Sequence, residues 1–513
     1  MKAKPFCILL TLIVIVLLST TAQAAEYRKA DKEVNASDIL SHIEKGNDIN
    51  LYNCSIVGDL DTSKIKLKTV SNQRVYSPVY GSVDEYDELN FLGALNSWEN
   101  KNFHLIENNI SITNSNFEDN VNFSYVIFNG SVDFHFSNFN RSVIFGPATF
   151  NNYVEFVCAT FNNYADFSST TFNISSDFNG ATFNHVAFGA ATFNNQHPDF
   201  SNSKFNGTTY FTFSRFNHSA DFSFTTFKDI AHFNGVFFNH SSHDFSYPVN
   251  FGYTTFEDYA DFRFASFNNY GTFWHATFNS ADFEGATFND DAIFEDNTFD
   301  NSAVFTPPDT SGKIYTDQKA CEFFRKAYNN LARYTDADNV YYTYRKQLMD
   351  KESLSFTKVF DILSWVTCGF GTKLKYTTSL IVVIIIFFAF LYKNPGLSLL
   401  YWIIGLQFID ANIQILKPDE YRSINKENKT TEITFKLYWG KPGIYRLTER
   451  TENKKSPSNL DFLYYSINTF TRLGSTTWYP KDNFSKLETL EGVLGWIMLA
   501  IFLATLMHLL MRS

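Results

Sequence analysis

The sequence predicts a mainly β N-terminal solenoid, joined by an α-helical linker to a C-terminal transmembrane helical domain. Phenylalanine recurs at alternating steps of five and six residues between Phe117 and Phe305, with three interruptions. These steps fit neither the period of an amphipathic helix nor the alternation of a plain strand. Near the C-terminus, two apolar stretches that begin at Tyr376 and Leu490 are long enough to cross a bilayer.

Composition excludes several classes of function. The 513 residues have room for two or three domains. The net charge of −11 argues against a nucleic-acid partner, because binding to phosphates needs a basic surface. No Ser–His–Asp order, glycine-rich phosphate loop or paired-carboxylate cleft stands out in the sequence. We therefore expect no enzyme, no cofactor and no metal site.

Residues 1–24 have the features of a secretory signal peptide. Lys2 and Lys4 precede fourteen mostly apolar residues, and small residues follow up to a cleavage site after Ala24. Fourteen residues are short for a membrane span, although an uncleaved anchor is the alternative. Export would permit glycosylation at Asn-x-Ser/Thr sequences. The candidate acceptors are Asn35, Asn53, Asn109, Asn122, Asn129, Asn140, Asn173 and Asn206.

Residues 25–109 are expected to form an N-terminal cap with an insertion. Ser37 and Gly46 are suited to bound a short helix, as its N-cap and as the glycine past its end. Short strand-like pieces follow. The periodic pattern then breaks between about 68 and 107 and returns at Ile110.

Residues 110–305 are predicted to wind into a β-helix. A chain that turns a corner every five or six residues points one large side chain inward on each side, and Asn, Asp, Ser, Thr and Gly suit the corners. Small residues such as Ala148 and Ala165 stand two positions before many of the phenylalanines. Four sides make one coil of about 22 residues, and the coils would stack about 4.8 Å apart. Aspartates directly before phenylalanine, such as Asp166, should point outward and bond to corner amides.

The segments "ADFSSTTF" (165–172) and "ADFEGATFND" (281–290) resemble the consensus of the pentapeptide-repeat family. The resemblance covers nearly 200 residues. It implies a right-handed quadrilateral β-helix. It implies almost nothing about activity, and the surface partners of the solenoid stay unknown.

Residues 306–372 are expected to form a helical linker. Helical spacing and many charges between Asp317 and Glu352 indicate two helices that are broken near Thr335 to Asp338. The stretch from Ser355 to Lys373 is amphipathic, and we expect it to lie at the membrane interface.

Residues 373–513 are predicted to form the transmembrane domain. Between its two spans, Pro457 and Ser458 start a short helix that runs through Phe470 into a loop around Gly474. This plan resembles the pore unit of two-transmembrane potassium channels, especially the unit found attached to pentapeptide repeats. The resemblance covers residues 458–512. It implies an ion-channel-type pore in the cell membrane, built as a homotetramer within the lipid bilayer.

The filter-like loop departs from the potassium-channel pattern, in which the backbone carbonyls of T-V-G-Y-G replace the hydration shell of the ion. Leu473 and Gly474 fit this pattern, but Arg472 replaces the threonine and Thr476 replaces the second glycine. Four arginine side chains that converge on a pore would repel cations. We therefore expect ion transport that is not selective for potassium. The loop consists of Thr471, Arg472, Leu473, Gly474, Ser475, Thr476 and Thr477.

Two questions stay open at the level of sequence. The first question is whether the chain is an ion channel or, alternatively, a membrane-anchored surface solenoid that has an interaction or structural role and a non-conducting anchor derived from a pore. The second question is topology, since a cleaved signal puts the repeat domain outside the cytoplasm, and two spans would then turn the pore loop to the wrong side. A third span from Leu397 would restore the usual orientation, although it contains Asp410.

Overall fold

The computed structural model of the protein describes residues 25–71, 102–194, 197–238, 248–268, 270–300, 305–310, 313–394, 444–446, 457–472, 478–480 and 484–510. The chain divides into two compact units, one that ends at Tyr344 and one that begins at Arg345. The predicted signal peptide and the candidate third span from Leu397 lie outside the described residues.

The first unit is a β-solenoid, as the phenylalanine spacing predicts. Its short strands pair in parallel with the equivalent strands of the coils before and after, so that Phe161 lies beside Phe139 and Phe183. Equivalent residues in adjacent coils are mostly 22 positions apart. Each coil contributes four strand positions, which form four rows along the solenoid.

The first row continues N-terminal of the phenylalanine repeats. Parallel pairing joins Glu26–Ala30 to Asp48–Tyr52, and the latter to Ile110–Thr113. The strands of the first row are Glu26–Ala30, Asp48–Tyr52, Ile110–Thr113, Val132–Asp133, Val154–Glu155, Ser176–Asp177, Val249–Asn250, Gly271–Thr272, Ala292–Phe294 and Ile314–Thr316.

The second and third rows share four longer strands that run through the corner between them. The shared strands are Thr160–Asp166, Thr182–Ala187, Thr255–Asp261 and Thr277–Asp282. The second row also contains Glu33–Asn35, Ser55–Val57, Asn116–Phe117, Asn138–Phe139, Lys204–Phe205, Thr226–Phe227 and Thr298–Phe299. The third row also contains Leu60–Asp61, Val121–Asn122, Val143–Ile144, Thr209–Tyr210, Ala231–His232 and Phe305–Thr306.

The fourth row is parallel except at its start, where Thr69–Ser71 pairs antiparallel with Asn102–Ile106. Its other strands are Val126–Phe128, Thr149–Phe150, Thr171–Phe172, Thr192–Phe193, Arg215–Phe216, Phe237–Phe238, Ser266–Phe267, Thr287–Phe288 and Asp309–Thr310.

Phenylalanine rings fill the interior of the solenoid. Phe128 and Phe150 stack with their centroids 4.8 Å apart and their planes 3° from parallel. Rings on different sides of the same coil meet edge to face, as Phe167 and Phe178 do at 5.6 Å and 83°. Both arrangements suit the quadrupole of an aromatic ring, so each phenylalanine gains from its neighbours beyond the area that it buries.

Helices cover parts of the solenoid. Helix α1 (Ala36–Glu44) has Asn35 as its N-cap, two residues before the predicted Ser37, and buries Ile39, Leu40 and Ile43. Helix α2 (Gln318–Asn330) follows the last coil and stacks Phe323 on Phe299 at 4.2 Å. Helix α3 (Tyr334–Lys351) continues from the first unit into the second.

The second unit is helical. Its helices are α4 (Phe356–Cys368), α5 (Leu374–Lys393), α6 (Asn459–Thr471) and α7 (Phe484–Leu510). A two-stranded antiparallel pair, Ile444–Arg446 with Trp478–Pro480, completes its described part. The segments Leu374–Lys393 and Leu487–Leu510 are long and apolar enough to cross a membrane. Helix α4 contacts α5 and α7, and its side chains Phe356 and Phe360 are strongly exposed.

Replacing Phe172 with alanine should destabilise the solenoid by about 3–5 kcal/mol, because the substitution removes a fully buried ring and leaves a cavity between two stacked neighbours. Phe136→Ala is the matched control, since that ring is 55% exposed and its loss should cost under about 0.5 kcal/mol. Urea unfolding of the detergent-solubilised protein, followed by far-ultraviolet circular dichroism, measures both. Equal losses in the two variants would contradict the assignment of Phe172 to the core.

Candidate functional site

The candidate site is the packing of the short helix α6 between the two membrane-length helices. Ser458 starts α6 with a capping box: its backbone N–H donates to the Asp461 carboxylate at 2.8 Å, and the Asp461 N–H donates to its hydroxyl at 3.3 Å. The 13 residues of α6 span about 20 Å, too short to cross a bilayer. The sequence correctly placed the beginning of this helix.

Apolar packing holds α6 against α5 and α7. Phe388, Phe462 and Leu487 are buried together, one from each helix. The rings of Tyr392 on α5 and Tyr465 on α6 meet edge to face at 5.0 Å. Both tyrosines are almost completely buried.

A buried polar cluster joins the same three helices. We call Tyr392, Ser466 and Glu491 the three-helix junction. The Tyr392 hydroxyl donates to Glu491 Oε2 at 2.8 Å, and the Ser466 hydroxyl contacts Glu491 Oε1. The Ser466 hydroxyl also lies 2.8 Å from the backbone carbonyl of Ile385 on α5. Glu491 has no exposed surface.

Two glycines on α7 allow α6 to approach closely. A Cβ atom at Gly495 would lie 1.9 Å from the Phe470 carbonyl oxygen, so that any larger residue there would push the helices apart. A Cβ atom at Gly492 would lie 2.4 Å from the guanidinium of Arg472. Small residues at helix contacts of this kind are typical of membrane packing.

The structure describes two of the seven predicted loop residues. Thr471 is the last residue of α6, and its hydroxyl donates to the Ile467 carbonyl at 2.8 Å. Arg472 caps α6 in the left-handed conformation at φ 53°, and its guanidinium lies 3.6 Å from the Glu488 carboxylate on α7. The others, Leu473 to Thr477, lie outside the described residues.

Sequence analysis did not identify Glu488 and Glu491 as site residues. The available signal was two carboxylates spaced three residues apart at the start of an apolar stretch. Acidic residues in such a position are costly unless they pair, so they point to a polar contact with another helix.

No family model, curated protein or solved structure matches the chain significantly. The resemblances to pentapeptide repeats and to a channel pore therefore rest on the residues themselves, and the structure adds the solenoid and two helices long and apolar enough to cross a membrane.

Outward aspartates on the solenoid bond to the corner amides, as predicted. Asp166 accepts the Ser168 N–H at 2.8 Å, and Asp221 accepts the Ser223 N–H at the same distance. In the first row, acidic residues follow one another on five consecutive coils. These residues are Asp133, Glu155, Asp177, Asp199 and Asp221.

Two carboxyl groups of this acidic row have raised pKa values. Burial raises the pKa of Asp177 above its ordinary value, and the neighbouring Asp199 carboxylate raises it further, against the bond from the Asn179 N–H. Burial and the carboxylates of Asp133 and Asp177 likewise raise the pKa of Glu155.

One cluster at the start of this row has the donor atoms to hold a cation. Asp133, His135 and Glu155 place one possible ligand atom each within 4.8 Å of one another. Asp133 Oδ1 already accepts the backbone N–H of His135 at 3.0 Å and lies 2.7 Å from its Nδ1. The turn and the imidazole therefore account for the position of this carboxylate without a metal.

The candidate glycosylation residues lie on the solenoid surface, and several belong to rows of hydrogen-bonded asparagines that the sequence analysis did not anticipate. The Asn173 amide donates to Asn151 at 2.6 Å, and the Asn151 amide donates to Asn129 at 2.8 Å. Asn140 accepts from Asn162 at 3.0 Å in a second row. These side chains tie adjacent coils together on the outside, where the phenylalanines do so on the inside.

Asp177→Asn should stabilise the solenoid at neutral pH by up to about 1 kcal/mol, because it removes a like charge from the row. The amide can keep the turn bond, since Asn250 in the same row accepts the Gly252 N–H at 2.9 Å. The folded state holds the Asp177 proton to higher pH than the unfolded state, so the wild type gains stability as pH falls through the folded pKa. The advantage of the variant should therefore shrink in acid.

Urea unfolding of the full-length protein at neutral and acid pH measures this difference. Asp166→Asn is the matched control, because Asp166 makes the same turn bond between the uncharged neighbours Ile144 and Ala187. An advantage of Asp177→Asn that is equal at both pH values would show that charge repulsion is not its cause.

Proposed function

We propose that the chain is a membrane-associated repeat protein whose second unit forms an ion pathway in a ring of four subunits. The observation that supports the proposal most directly is α6. A helix too short to cross a bilayer is fixed between two membrane-length helices by buried hydrogen bonds and glycine contacts. This arrangement suits a segment that enters the membrane and returns, because its polar groups are then bonded within the protein.

The ring is part of the proposal because one short helix and one loop cannot enclose a pathway. A closed pathway needs several copies around an axis, and cyclic symmetry supplies them. The right-handed winding and square section of the solenoid, its position outside the cytoplasm, and the interfacial position of α4 belong to the same proposal. The exposed apolar side chains of α4, among them Phe356, Phe360 and Leu363, suit a helix that lies in the headgroup region.

The proposed pathway is not selective for potassium. Arg472 stands where the channel pattern has threonine, and Glu488 compensates part of its charge at 3.6 Å. A compensated arginine at the end of α6 repels cations less than a free one would, but its side chain lacks the hydroxyl oxygen that threonine offers at this position.

An anchored interaction solenoid is the second candidate. Exposed aromatic rings at one corner of the solenoid favour it: Phe224 stacks on Tyr253 at 4.7 Å, and Tyr253 stacks on His275 at 4.8 Å. Phe224 and Tyr253 remain 56% and 40% exposed, and exposed aromatic groups of this kind are typical of binding surfaces.

The proposed ring predicts that the protein purified in mild detergent is a tetramer. Light scattering coupled to size-exclusion chromatography measures the protein mass of the complex, with the micelle subtracted. A strictly monomeric protein at all detergent concentrations would remove the pore and leave the anchored solenoid. The measurement uses the unmodified full-length protein.

Reconstitution in a planar bilayer tests transport. We expect no potassium-selective current, because Arg472 and Thr476 replace residues on which potassium selectivity depends. Reversal potentials in potassium, sodium and chloride gradients measure selectivity, and the double variant Arg472→Thr, Thr476→Gly is run in parallel. A strong potassium preference of the unmodified protein would contradict the proposal. Silence in both proteins would favour the anchor, and current only in the double variant would indicate a pore whose filter alone has diverged.

A further inference from the structure

The side chain of Glu491 is a carboxyl group without contact to water. It is fully buried on α7 and touches side chains from both other helices of the junction. Tyr392 donates to one carboxyl oxygen, and Ser466 lies against the other. Ser466 at the same time lies at hydrogen-bond distance, 2.8 Å, from the Ile385 carbonyl.

A count of hydrogens favours one state of this carboxyl group. The Ser466 hydroxyl has one hydrogen, and the Ile385 carbonyl oxygen can only accept. If Ser466 donates to Ile385, its contact with Glu491 is a hydrogen bond only when Glu491 supplies the hydrogen. A protonated Glu491 therefore completes the series: Glu491 donates to Ser466, Ser466 donates to Ile385, and Tyr392 donates to the free carboxyl oxygen.

A count of charges leads to the same state. The groups that face Glu491 are Tyr392 from α5, Tyr465, Ser466 and Arg472 from α6, and Glu488 one turn earlier on α7. Helix α4 also contacts α7, and its own acid, Asp361, pairs with Arg345. Arg472 is the one cation among the groups facing Glu491 in the described part of the chain, and it pairs with Glu488. An ionised Glu491 would therefore be a buried carboxylate without a cation of its own, which is costly.

We propose that the three-helix junction is a proton-binding site, in which Glu491 is held as the neutral acid and its deprotonation releases α6 from α5 and α7. When the junction opens and water reaches Glu491, the proton passes from Oε1 to water, and the carboxylate that remains can no longer donate to Ser466. The position of α6 in the pore unit is thereby linked to pH. This regulation rests on the proposed function, although the state of Glu491 itself does not.

Infrared spectroscopy of the full-length protein in detergent tests the protonation state. The spectrum at neutral pH should contain the carbonyl stretch of a protonated carboxylic acid, and Glu491→Gln should lack it. Glu322→Gln, which changes an exposed carboxylate on α2, should keep it. Ser466→Ala should shift the band, because the acid loses the acceptor of its hydrogen bond. A band that is absent from the wild type, or unchanged in Glu491→Gln, would overturn the proposal.

Thermal unfolding against pH tests the link to the helices. A group that is protonated in the folded state and ionised in the unfolded state makes stability fall as pH rises. The unfolding temperature of the second unit should therefore fall from neutral to alkaline pH in the wild type and stay level in Glu491→Gln. Glutamine can donate to Ser466 and accept from Tyr392, so it keeps both bonds at any pH.

An equal fall in both proteins would contradict the link. If Glu491→Gln does not fold, the wild type alone decides the question. As the pH is raised, its carboxylic-acid band should disappear and its unfolding temperature should fall. Neither readout uses conductance. A silent bilayer with a titrating band would therefore refute the pore and not the proton site.

Discussion

The stacking of each inward ring on the same ring of the next coil is the constraint on which the solenoid depends. Stacked centroids lie close to 4.8 Å apart, as for Phe139 and Phe161, and this distance is also the spacing of hydrogen-bonded strands. Backbone pairing and ring stacking therefore require the same repeat. The repeat distance is kept even where the spacing in the sequence changes: Asp221 and Asn250 are partners although 29 positions separate them, and Phe222 and Phe251 still stack at 4.8 Å.

The sequence predicts the solenoid well where a single large residue type marks each side, because the step between rings then appears directly in the sequence. The first coils obey the same geometry with smaller residues. Ile49, Leu51, Ile56 and Leu60 are buried in the same core, and their strands pair with those of the phenylalanine coils. Apolar residues of several types give a weaker periodic signal than one aromatic, so the phenylalanine spacing does not mark these coils.

The site was predictable in its outline and not in its contacts. Pro457, Ser458 and the polar residues after them signal the start of a short helix, which the structure has at Asn459. The rotation of each helix about its own axis does not follow from hydropathy, since α7 itself has apolar residues on all of its sides. Whether Arg472 faces a pathway or packs on Gly492 depends on that rotation, and so does the meeting of Glu491 with Tyr392 and Ser466.

The two units use carboxylates in opposite ways for one electrostatic reason. On the solenoid, five acids lie in one row because each is at least partly exposed to solvent and corner amides stabilise the aspartates among them, so that their repulsion is a small cost. The side chains of the three-helix junction are fully buried, and apolar packing alone would permit several rotations of a short helix. A hydrogen-bonded acid permits few of these rotations, because each hydrogen bond fixes a direction as well as a distance. Glu491 thus sets the orientation of α6, which the apolar surface of that helix does not fix. Because it does so through its hydrogen bonds, the loss of its proton changes this orientation.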